Sequence, residues 1–61
     1  PMPIKYFSPH TVAETLDISY RKVLDLIKLG KITAIKIDKV YRISESELNR
    51  FQLQQLYKPY L

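Results

Sequence analysis

The stretch "DISYRKVLDLIKLGKI", Asp17–Ile32, holds the one glycine of the chain and sets Arg21, Lys22 and Lys28 around an apolar stripe of Val23, Leu26 and Ile27. It opens like a helix start. Ser19 follows the large apolar Ile18, and a serine hydroxyl at this point accepts from an otherwise unpaired amide of the first turn. Ile18 and Val23 occupy the two positions whose side chains close over such a start. The end is also marked, because Gly30 can take the left-handed conformation that terminates a helix. The spacing predicts a helix over 20–29 with its stripe toward a core and Arg21, Lys22, Asp25 and Lys28 pointing elsewhere. A helix this short and basic is either packing material or a reading head.

The same spelling recurs on both sides. "FSPHTV" (7–12) and "ISESEL" (43–48) repeat the apolar residue, the serine and the apolar residue four positions on. Pro9 stands at a first helical position, where its missing amide costs nothing. Helices are therefore expected over about 9–16 and 45–58, the last stopped by Pro59. Ser44 and Glu47 are expected to form a reciprocal capping box. Leu48, Phe51 and Leu56 suit the core, while Leu53, Leu56, Tyr57 and Tyr60 form a second apolar set at helical spacing. A helix apolar on two sides usually has a partner or a continuation. Between the first two helices only Asp17–Ser19 remain, so the pair reads as a helix-turn-helix whose second helix is the candidate reader.

In "KITAIKIDKVYRI" (31–43), β-branched residues alternate with lysines on either side of Asp38-Lys39, which predicts a hairpin over about 32–43. Asp-Lys is a weaker turn than Asp-Gly, whose second residue accepts a positive φ. In a two-residue turn Ala34, Lys36, Tyr41 and Ile43 share one face and Ile35, Ile37, Val40 and Arg42 the other. Both faces are partly apolar, so the sequence does not choose between them.

Sixty-one residues make a single domain, in which only about 60% of the unfolded surface is removed from water. With no cysteine, disulfides and thiolate metal sites are excluded, and a cytoplasmic, nucleoid- or plasmid-associated location is expected. No apolar run reaches the ~20 residues of a membrane span. Pro1 ahead of Met2 suggests that the native chain starts at Met2, compatible with the N-terminal part of a longer protein. The net charge of +4 is concentrated: Arg21, Lys22, Lys28, Lys31, Lys36, Lys39 and Arg42 face only Asp25 and Asp38 in the same segment. Such a segment is the footprint of a polyanion partner.

The order helix, turn, helix, glycine, hairpin, helix now has a recognisable spelling. "VAETLDIS", "VLDLIKLGKI" with Gly30, "AIKI" and "YRISESEL" make Phe7 to Phe51 resemble the excisionase-like and MerR-like winged helix-turn-helix DNA-binding domains. The resemblance implies a mainly α (α+β) fold with two N-terminal helices, a two-stranded wing and a C-terminal helix. It also implies that helix 20–29 enters the major groove while wing 34–43 lies on the backbone or in the adjacent minor groove. Ser19, Tyr20, Arg21, Lys22 and Lys28 then fall on the recognition helix, and Lys36, Lys39 and Arg42 on the wing. The chain departs from the family in two ways. Asp38-Lys39 stand where wing-tip glycine is common, and the long coiled coil and effector domain of full MerR regulators have no counterpart.

Arg21 and Lys22 lie in the first turn of the reading helix, and Arg21 could donate two hydrogen bonds to a guanine edge. Asp25 is expected to pair with Arg21 one turn back, with acceptance from a cytosine amino group as the less favoured alternative. Tyr20 either meets a phosphate or thymine methyl or covers helix 9–16. Lys36, Lys39 and Arg42 are expected to neutralise phosphates, with a Lys36–Tyr41 cation–π contact as an equal alternative. His10 has no metal-ligand company, and first-turn placement accounts for Glu45 and Glu47. No cofactor, metal or enzymatic activity is expected. The expected function is sequence-specific binding of double-stranded DNA by an excisionase-type or small regulatory protein, as a homodimer or cooperative array, with a recombinase as a possible partner. The alternatives are the DNA-binding head of a plasmid-partition, replication or packaging protein, and a protein-interaction module using Leu53, Leu56, Tyr57 and Tyr60.

Overall fold

In the computed structural model, which describes residues 3–59, the chain order is β1 (Tyr6–Phe7), α1 (Pro9–Leu16), α2 (Tyr20–Lys28), β2 (Ile35–Ile37), β3 (Val40–Ser44) and α3 (Glu45–Gln54). Met2 and Tyr60 lie outside the described residues. All three helices begin where the serines predicted. Ser8, Ser19 and Ser44 are extended, and each accepts from the amide three residues on, Thr11, Lys22 and Glu47, at 3.1, 3.0 and 3.1 Å. The flanking pairs Phe7/Val12, Ile18/Val23 and Ile43/Leu48 all lie in the core or against it. Each helix start is thus tied to the hydrophobic interior.

The first two helices end in the same way with different residues. At the end of α2, Gly30 takes φ 78°, its N–H donates to Ile27 O at 3.0 Å, and Lys31 N–H reaches Leu26 O at 2.9 Å. A Cβ at Gly30 would meet nothing within 4 Å, so glycine answers to the backbone angle and not to space. At the end of α1 the left-handed residue is Asp17, at φ 56°, with its N–H to Glu14 O and Ile18 N–H to Ala13 O. This double bond pattern turns the chain sharply enough for three residues to join the helices. The last helical residue of α2 is Lys28, one short of the expected Leu29, which serves as the cap.

The sheet has three strands in the order β1-β3-β2, all antiparallel, where the sequence predicted two. β1 pairs Tyr6 with Ser44 and Phe7 with Ile43. A two-residue strand carries no alternation to recognise. The wing has the expected register, Ile37 opposite Val40 and Lys36 opposite Tyr41, around an Asp38-Lys39 turn. Asp38 adopts φ 57° and Lys39 stays at negative φ, so the turn places only its first residue in the left-handed region. Ile43 is fully buried while Ile35, Ile37 and Val40 are exposed, so the Ala34–Lys36–Tyr41–Ile43 face is the one turned to the helices.

Val12 and Ala13 of α1, Val23 of α2, Ile32, Ile43 of β3, and Leu48 and Phe51 of α3 form the core. Leu26 and Ile27 pack at its edge, as the stripe on α2 required. Two expectations for α3 are corrected. The helix ends at Gln54 and not near Lys58, and Leu56 is 59% exposed instead of part of the core. Pro59 offers no amide to Gln55 O and disfavours a helical Lys58. Leu53, Leu56 and Tyr57 are exposed, so no buried surface offsets the ordering of another turn.

Candidate nucleic-acid interface

Val23 anchors α2, and the same helical geometry turns Arg21, Lys22 and Lys28 to solvent. Arg21 is open to solvent: its side chain is 83% exposed, and Nε lies 3.5 Å from Asp25 Oδ1. This is the expected one-turn pair, and in water it is weak enough to yield to a stronger acceptor. Tyr20 stacks flat on His10 of α1, with ring centroids 3.9 Å apart and planes 7° from parallel. It therefore covers α1, one of the two roles expected for it, and remains 41% exposed.

On the wing, Lys36 Nζ lies 5.5 Å from the Tyr41 ring centre, the cation–π contact that was one of the two roles expected for it. Arg42 sends one guanidinium N–H to Tyr41 O at 2.7 Å, which leaves its other donors for a further acceptor. Lys39 occupies the turn and is exposed. The turn and β3 of the wing meet the helix pair in a cleft of about 240 Å³, lined by residues that include His10, Tyr20, Lys39, Tyr41 and Arg42. The start of α2 and the wing are therefore one continuous surface, although nearly 20 residues separate them in sequence.

One cluster carried little sequence signal. Glu47 does not complete a capping box. Its carboxylate turns away from Ser44 and accepts from Thr33 N–H at 2.8 Å and from Arg50 Nε at 2.8 Å. A second Arg50 nitrogen closes on the other oxygen and also reaches Lys31 O at 3.3 Å. Beside Ser44, Lys5 O accepts from Glu45 N–H at 2.9 Å, so the chain at β1 satisfies one amide of this helix start. Arg50 holds the Glu47 carboxyl below the usual carboxylate value, Thr33 N–H adds to the effect, and burial partly opposes it. The pair fastens the segment after Gly30 to α3 and thereby sets where the wing begins. Its only trace in the sequence is an i,i+3 spacing.

The residues expected to form a partner surface do not share one helix. Leu53 lies on α3, Leu56 and Tyr57 follow its end, and Tyr60 is outside the described residues. Among the described residues no His, Cys, Asp and Glu gather as a metal site, and no helix is long and apolar enough to cross a membrane.

Two helices joined by a three-residue turn, a wing beside the second and a third helix behind them define a winged helix-turn-helix. A family model described as "Helix-turn-helix domain" matches residues 6–56, so the chain belongs to that DNA-binding family. No match is found among curated proteins or among solved structures.

Proposed function

We propose that this domain reads double-stranded DNA in sequence-specific fashion, with α2 in the major groove and residues 34–43 on the backbone or minor groove. The observation that carries this reading is the position of Arg21 and Lys22. Both are exposed in the first turn of a helix that Val23 fixes to the core, the part of a recognition helix that meets base edges. Ser19, Tyr20 and Lys28 complete that surface. Lys36, Lys39 and Arg42 supply phosphate contacts, which set orientation and register without reading sequence.

One module contacts too few base pairs for a genomic search, so a homodimer or cooperative array is part of the proposal. The exposed Leu53, Leu56 and Tyr57 support it, with Tyr60 as a further candidate. Two heads about one helical turn apart, ~34–36 Å, would read paired half-sites. The role proposed is an excisionase-type one beside a recombinase, or regulation at a promoter; the head of a partition, replication or packaging protein is the alternative. The same apolar residues also support a second reading, a protein-interaction module. Selection from a random duplex pool across a salt series separates them. An enriched repeat, with log K falling by about 0.9 per phosphate contact per decade of salt, supports DNA reading; failure to bind at low salt rejects it.

A further inference from the structure

The cleft between the helix starts and the turn and β3 of the wing joins three elements that the sequence keeps apart. Ser8 and His10 come from the start of α1, Tyr20 from the start of α2, and Lys39, Tyr41 and Arg42 from the wing. Its lining residues carry hydroxyl, imidazole, ammonium and guanidinium groups beside the apolar Pro9 and Val40, and none carries a carboxylate; Asp38, beside Lys39 in the turn, is not among its walls. At about 240 Å³ it is several times the roughly 30 Å³ share of one water in the liquid, roomy enough for a phosphodiester and its nearest waters. The His10–Tyr20 stack forms one side of the cleft and holds the imidazole at a fixed attitude.

We propose that this cleft seats one phosphodiester of the DNA backbone, and that His10 is one of its ligands. The inference rests on the DNA-binding reading and names the anchor between its two halves. Lys39 and Arg42 neutralise the phosphate, while imidazole N–H and tyrosine hydroxyl groups donate to its oxygens. A phosphate held between α2 and the wing fixes the angle at which each approaches its groove. His10 thereby becomes a positioning contact that reads no base.

The test is a scan of single methylphosphonate substitutions along a bound duplex, which neutralises one phosphate at a time. Wild type is expected to lose roughly tenfold in affinity at one phosphate per half-site. His10→Ala and Lys39→Gln each lose a similar factor on unmodified DNA without changing the preferred sequence. On duplex carrying the neutral linkage at that one position, both variants bind as wild type does. Losses that simply multiply at every position overturn the seat while leaving DNA binding intact. Absence of duplex binding by wild type overturns the DNA-binding reading itself, so the two failures are distinguishable. His10 and Lys39 are both exposed, and matching thermal melts of the variants show that affinity is not lost through unfolding.

Discussion

Two arginine–carboxylate pairs stand one turn apart on two helices, and they do opposite things. Arg50 and Glu47 on α3 close a network with Thr33 N–H and Lys31 O. Arg21 and Asp25 on α2 meet at 3.5 Å with side chains 83% and 49% exposed, and neither holds another part of the chain. Sequence spacing makes the pairs look alike. Their surroundings separate them: one carboxylate satisfies a backbone amide brought in from fourteen residues away, and the other has only water and a flexible partner. The first pair builds the platform, and the second keeps an arginine ready for another acceptor.

The largest expected effect comes from the open pair. Arg21→Ala should lower discrimination between preferred and altered duplex by about 1–3 kcal/mol and leave the melting temperature unchanged. Competition band-shifts beside thermal melts give both numbers, and a strongly lowered melting temperature would break the contrast. The converse variant, Glu47→Ala, should cost about 1–2 kcal/mol of stability, because Thr33 N–H loses its acceptor. At this size each kcal/mol moves the melting temperature by about 4–8 °C, while base preference should survive.

Acid sharpens the same comparison. Glu47 is held below its ordinary value of 4.5 by Arg50, so its contribution is complete above that value. It is lost as pH falls below 4.5 toward and through the lowered native value, because the unfolded chain takes up the proton first. Denaturant midpoints followed downward from pH 6 should fall more steeply in wild type than in Glu47→Gln. Parallel curves would show that the network contributes nothing. The smallest effect is expected for Asp25→Asn, below about 0.5 kcal/mol of stability. It should tighten DNA binding slightly by releasing Arg21, as equilibrium titration would detect.

Much of the fold was legible because its signals are short-ranged. Ser8, Ser19 and Ser44 each satisfy an amide three residues away, and Gly30 supplies a backbone angle of its own, so these features survive without knowledge of the rest of the chain. The exposed face of α2 was legible for the same reason, since a helix start and one buried stripe determine what is left exposed. Asp17 shows the limit. It takes the left-handed position of α1 as Gly30 does in α2, yet nothing in the residue announces it. Asp38 repeats this at the wing tip.

Local signals along the chain settled where the helices begin, how tightly α1 turns into α2, the register of the wing and the concentration of positive charge between Arg21 and Arg42. Tertiary structure decided which wing face meets the core, the pairing of Tyr6-Phe7 with β3, the end of α3 at Gln54, and the turning of Glu47 toward Thr33. It also brought His10, Tyr20, Lys39 and Arg42 around one cleft. The first group depends on hydrogen bonds and alternation within a few residues. The second depends on which distant surface arrives to cover a side chain or accept a proton, and only the folded chain supplies that surface.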